Sequence, residues 1–275
     1  MTIVTEVKQG LLEIQINRPD RKNSFTNAMY TAIGDAFRDA TQSNLVKAVL
    51  LKGHKDCFSA GNDIGDFMQN PPTNLDAPVF RFLRMISTCP KPIVAQVEGM
   101  AVGIGTTMLL HCDLVYAADT AKFSMPFVKL GMCPEGGSTL IVPQLAGYQK
   151  AAELLLLGDV FNAAKASECG IVTQVLPADQ LEAHVGQQVK KLLNLPIQSL
   201  ITTKALLKAH VKTSLPTVLE VEGHGFMSML KQEPAQEAFK AFAEKRTPNF
   251  LQFEGQSPAQ KANQRASTRA KPQPS

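Results

Sequence analysis

Three short stretches hold residues that a reaction could use. The first is Phe58-Ser59-Ala60-Gly61-Asn62-Asp63-Ile64, and the second is Glu98-Gly99-Met100-Ala101-Val102-Gly103-Ile104-Gly105-Thr106-Thr107. Each reads as a strand-to-helix turn. Small residues there let another group approach the main chain, and helix-start N–H groups stand free to meet an anion or a developing oxyanion. The third is Leu130-Gly131-Met132-Cys133-Pro134-Glu135-Gly136-Gly137-Ser138, which sets one carboxylate among small and apolar neighbours. Burial would raise the pKa of Glu135 and make it a proton acceptor near neutral pH. Plainer readings stand beside these. Glycines permit tight turns of any purpose, and a glutamate in a helix's first turn is stabilised by the helix dipole. The residues alone leave both readings open.

Other chemistries fit less well. Gly103-Ile104-Gly105-Thr106-Thr107-Met108 lacks the third glycine of a dinucleotide fingerprint, and no P-loop lysine follows either corner. His54, His111, His184, His210 and His224 show no paired metal spacing, so surface or satisfied core positions are expected, and no metal. Cys57, Cys89, Cys112, Cys133 and Cys169 form no CxxC pair, which argues against a zinc ribbon or redox dithiol. Ser59 and Cys57 lack a nucleophile elbow. With 28 Lys+Arg against 24 Asp+Glu, the net charge of +4 is too weak to suggest a nucleic-acid face. Charges at Glu6 and Lys8 interrupt any secretory leader, and no apolar run reaches the ~20 residues a membrane span needs. The final Lys271-Pro272-Gln273-Pro274-Ser275 is no peroxisomal address. The expectation is a soluble protein of a bacterial-type cytoplasm rather than an organelle.

The elements that must position the three stretches are legible in part. At 275 residues, 44% hydrophobic and 19% charged, the chain can bury a sizeable core. Residues 3–7 and 11–16 read as a hairpin, the second run alternating as Leu12, Ile14 and Ile16. A helix begins near Thr26, with Met29, Ile33 and Phe37 on one face. Short apolar strands are expected at 48–51 and 92–97, ahead of the two glycine corners, and at 114–117. Near-continuous apolar strands with helices between them predict an α/β fold whose sheet is covered on both faces. Strands stop near Pro196, and 199–211, 215–231 and 235–244 read as helices. The division is thus a core at 1–195, a helical region at 196–255 and a polar tail at 256–275, expected to be disordered.

Taken in order and spacing, four features resemble the crotonase superfamily, the enoyl-CoA hydratase/isomerase family, over about residues 2–250. They are Asn17-Arg18-Pro19 with Asn23, Ser59-Ala60-Gly61-Asn62-Asp63, Gly99 to Gly105 leading into Cys112-Asp113, and the stretch 123–137. The resemblance implies a spiral of ββα units with a C-terminal helical trimerisation region. It thus implies a homotrimer or dimer of trimers, for which Phe226, Met227 and Leu230 are candidate interface residues. It also implies an acyl-CoA thioester substrate, with coenzyme A part of that substrate and no separate cofactor. The backbone N–H groups of Asn62 and Ile104 would hold the thioester enolate. Ala60, Gly61, Asn62, Asp63 and Ile64 would line the coenzyme A path, with Asn23, Ser24 and Phe25 on the opposite wall. Hydratases of the family carry two glutamates where this chain has Thr107 and Phe127, at the same separation of 127 − 107 = 20. Neither is an acid or base at neutral pH, so ordinary hydration is not expected. Glu135 falls where monofunctional 3,2-enoyl-CoA isomerases carry one catalytic glutamate, and Pro134-Glu135-Gly136-Gly137 resembles the peroxisomal-type group. The expectation is therefore a 3,2-trans-enoyl-CoA isomerase of fatty-acid β-oxidation. Alternatives are another crotonase-type reaction on acyl-CoA (an atypical hydratase, a hydrolase or a decarboxylase) and a non-catalytic acyl-CoA-binding protein.

Overall fold

The computed structural model describes residues 2–253; the tail expected at 256–275 lies outside the described residues. In chain order the strands are β1 Ile3–Lys8, β2 Leu11–Ile16, β3 Ala48–Lys52, β4 Cys57–Ser59, β5 Ile93–Val97, β6 Met100–Val102, β7 Leu114–Ala118, β8 Lys122–Ser124, β9 Phe161–Asn162 and β10 Gln174–Leu176. The helices are α1 Asn27–Gln42, α2 Ile64–Gln69, α3 Pro78–Thr88, α4 Ile104–Thr107, α5 Ser138–Ala146, α6 Tyr148–Ala152, α7 Ala163–Glu168, α8 Ala178–Leu193, α9 Ile197–Leu207, α10 Ser214–Leu230 and α11 Glu233–Ala243.

Two sheets share the chain. One runs β1-β2-β3-β5-β7-β10 and the other β4-β6-β8-β9. After the antiparallel β1-β2 hairpin, every pair in the larger sheet is parallel. Successive passes give one strand to each sheet before a helix returns the chain: β3 then β4, β5 then β6, β7 then β8. This is the expected ββα spiral. The strands β3 and β5 that precede the two glycine corners are paired neighbours, Leu51 opposite Ala95. The corners are less direct than the sequence suggests, because the three-residue strands β4 and β6 intervene before α2 and α4.

Long elements form for visible reasons. Thr26 caps α1 by accepting from the Met29 N–H, and the helix buries Met29, Tyr30, Ile33 and Phe37. Strand β5 is buried along its whole length, as a parallel strand covered on both faces should be. In the helical region Phe226, Met227 and Leu230, whose pattern suits either core or subunit interface, are buried in the chain's own core. There α10 lies over α2, and Phe226 meets Phe67 edge-on at 5.8 Å. Among the described residues no helix is long and apolar enough to cross a membrane.

Candidate active site

The first two corners are packed main chain against main chain. Gly61 has φ +86°, and a Cβ there would lie 2.8 Å from the Val102 carbonyl oxygen. A Cβ on Gly105 would lie 2.6 Å from the Ser59 carbonyl oxygen. Only glycine allows either approach. The surrounding amides are engaged. Gly61 N–H donates to Ser59 Oγ at 3.1 Å, Asp63 N–H to Phe25 O at 2.9 Å, Gly103 N–H to Ser124 O at 2.9 Å, and Thr106 and Thr107 N–H to Gly103 O at 2.8 and 2.9 Å. The amides of Asn62 and Ile104, with Gly105 beside the latter, have no acceptor among the described residues.

Residues 22–25 splint the first corner. Lys22 O accepts from Ala60 N–H at 2.9 Å and Gly61 O from Phe25 N–H at 2.7 Å. The Asn23 amide donates to Cys57 O at 2.8 Å, and Asn23 O accepts from Ser59 Oγ at 2.9 Å. Asn23 and Phe25 are 0% and 1% exposed, and Ser24 is also buried, so their side chains support the corner from within. Ala60, Asn62, Asp63 and Ile64 are half-buried at the surface and Gly61 is buried. Asp63 pairs with Arg18 at 2.7 Å and caps α2 through the Asp66 N–H. Burial pushes its carboxyl up, but the Asp66 N–H and Arg18 outweigh it and hold the pKa below the usual range.

Glu135 comes from the loop before α5 and meets the second corner. A Cβ on Gly136 would lie 3.0 Å from Thr107 Oγ1, and Thr107 Oγ1 donates to Glu135 Oε1 at 2.6 Å. Ile104 and Thr107 are the two ends of α4, so one turn of helix joins the free amide to the carboxyl's hydrogen-bond donor. Glu135 is 4% exposed, and its Oε2 has no partner among the described residues. Burial raises its pKa to about 8 against the lowering effect of Thr107, with the charge of Glu222 adding to the rise. Phe127, at the other hydratase position, is a core residue.

Three further residues close the site that local sequence did not reveal. Tyr30 OH donates to Asn62 Oδ1 at 2.6 Å. Burial, and then the charges of Glu135 and Asp66, keep this phenol well above its ordinary pKa. His111 Nε2 lies 2.9 Å from Gly136 O. Burial lowers its pKa to about 3, so it is neutral and donates through Nε2, a satisfied core histidine in keeping with the sequence expectation. Glu222 caps the start of α5. Their partners lie far away in sequence, and only His111 carries a sequence expectation, that of a surface or satisfied core histidine rather than of a part of the site.

A cavity of about 500 Å³ lies between α3, α9 and α10. Asn62, Ile104 and Glu135 do not line it; it adjoins their loop through Leu83 and Leu215, which stand against Gly136 and Gly137. The convergence of the three corners, rather than the cavity, is therefore the candidate site. Among the described residues no three His, Cys, Asp or Glu are grouped to hold a metal ion. One buried carboxyl poised near neutral pH, on corners whose Asn62, Ile104 and Gly105 amides have no acceptor among the described residues, suits proton removal next to a carbonyl whose oxygen takes up charge.

Comparison with known proteins bears on this geometry. A family model described as enoyl-CoA hydratase/isomerase matches residues 6–254. The 1,2-epoxyphenylacetyl-CoA isomerase of Escherichia coli (strain K12) is 32% identical over 255 residues, 90% of this chain and 97% of that protein. Enoyl-CoA delta isomerase 2 of Rattus norvegicus is 37% identical over 226 residues, 80% of this chain and 58% of that longer protein. The structure of Pseudomonas aeruginosa OdaA superposes with a TM-score of 0.85 at 41% identity, covering 88% of this chain and 98% of that one.

Proposed function

The chain belongs to the enoyl-CoA hydratase/isomerase family, and from that premise we propose that it moves the double bond of 3-enoyl-CoA thioesters to the trans-2 position, in fatty-acid β-oxidation, with Glu135 as the single base. The observation that carries this reading is the Glu135 carboxyl. It is buried and pinned by Thr107 through one oxygen, and its other oxygen is unpaired. Hydration needs one group to activate water and another to manage the C2 proton. A 1,3-proton shift needs only one.

Glu135 takes the C2 proton, and the electron pair flows toward the thioester oxygen as a dienolate forms over C2 to C4. The Asn62 and Ile104 N–H groups meet that oxygen, a kind of contact worth about 10²–10³ in rate. The same carboxyl then returns its proton at C4, so the carboxylate base is restored and nothing is consumed. A pKa of about 8 serves both halves, basic enough to accept the proton and acidic enough to give it back. Isomerases among the relatives support the reaction class.

The test is turnover of cis- and trans-3-enoyl-CoA by the native protein and by Glu135→Gln, with crotonyl-CoA hydration run alongside. Isomerisation should fall by about 10³-fold in the variant, within the range for a lost general base, while hydration stays negligible in both. Equal isomerisation by the two proteins, or hydration far above isomerisation, would sink the proposal.

A further inference from the structure

We propose that Glu222 is a positioning residue for Glu135: from α10 it holds the turn that carries the base and places a fixed negative charge behind it. This rests on the reading of Glu135 as the base. Glu222 is buried, and its carboxylate meets three donors around the start of α5. Oε2 accepts from Gly137 N–H at 2.6 Å, and Oε1 accepts from Thr139 N–H at 2.9 Å and Thr139 Oγ1 at 2.5 Å. All three partners are donors, the pattern that suits an ionised carboxylate, and an anion is favoured where helix-start amides converge.

The turn itself is tied at each step. Ser138 Oγ donates to Glu135 O at 2.7 Å, and His111 holds Gly136 O. Glu222 supplies the remaining ties at residues 137 and 139, across 85 residues of sequence in the case of Gly137. The ionisable groups facing Glu135 are few. Tyr30 comes from α1, with Asp66 of α2 beyond it. Cys133 comes from the same loop, His111 from the turn after α4, and Glu222 from α10. Tyr30, Cys133 and His111 are neutral near pH 7, their ionised forms disfavoured first by burial. Burial also pushes Glu222 up, opposed by its three donors.

Glu222→Gln keeps the size of the side chain but removes the charge and opposes an NH₂ to one of the donors. The acidic limb of kcat/KM should then move down by about one pH unit, as expected when a nearby like charge is lost. Plateau kcat should fall about tenfold or more, with KM changed by less than about threefold, the mark of a misplaced reacting group. The Glu135 carboxyl is also titrated without substrate, by infrared difference spectra in which Glu135→Gln identifies its band. A midpoint that Glu222→Gln leaves unmoved overturns the proposal, whatever happens to Tm. Because that readout needs no turnover, it decides the role of Glu222 even if Glu135→Gln leaves isomerisation intact and the proposed reaction fails.

Discussion

Glu135 is held by one hydrogen bond, to Thr107, and its second oxygen is buried with no partner among the described residues. That arrangement is costly to the fold. An isolated glutamate ionises near pH 4.5, whereas here the midpoint is about 8, so between those values the folded state keeps a proton that the unfolded state releases. Stability contributed by the group is therefore complete below pH 4.5 and is lost as pH rises through 8. Replacing the base with Gln removes the penalty. Glu135→Gln should match the native protein at pH 4.5 and exceed it by up to about 5 kcal/mol by pH 9, because each tenfold change in proton affinity is worth roughly 1.4 kcal/mol. Urea unfolding of both proteins at the two pH values checks this; a gain that is the same at both would rule it out. The lone carboxylate could be picked out in sequence because nothing else ionisable stands between Pro134 and Ser138. Tyr30 and Glu222 could not, since they meet Asn62 and Gly137 across 32 and 85 residues, and no local pattern encodes such a meeting.

Among the elements, length aids the sequence reading without ensuring it, since that reading misses the long helices α3 and α8. Helix α1 and strands β3, β5 and β7 run for five residues or more and carry their period or apolar run openly. Strands β4, β6, β8 and β9 have two or three residues each, too few for any alternation to register, so the second sheet was invisible. The glycine corners were legible because a tight approach leaves its mark on composition. Gly61→Ala tests how strictly that approach is needed. The substitution puts a Cβ at φ +86° and 2.8 Å from Val102 O, and left-handed strain alone costs a non-glycine residue about 2 kcal/mol. The expected result is a loss of stability of at least that size, with kcat/KM falling more than the folded fraction does. A variant of native stability and native kcat/KM would show that the corners need not touch.

At the scale of the whole molecule, assembly is a question of which apolar side chains stay exposed. The apolar face at Phe226, Met227 and Leu230 is satisfied within the chain, but Leu145, Tyr148, Leu156, Leu157 and Val160 are 48–73% exposed. They are close in sequence, from the end of α5 through α6 and the turn that follows. Exposed apolar side chains of this kind are candidates for the contact that the expected homotrimer would need. If the native chain sediments as a trimer through these residues, Leu156→Asp with Leu157→Asp should reduce it to a monomer, while native and variant chains that sediment alike would locate the contact elsewhere.

The two free amides sit on successive turns of the spiral, and each belongs to the backbone rather than to a side chain. No replacement short of proline at 62 or 104 deletes either donor, so an alanine scan would find the base and pass over the other half of the proposed machinery. The heritable quantity at these positions is chain length. One residue added or removed between Val97 and Ile104 would rotate the second amide away, whereas many spellings of the same length would leave its direction intact.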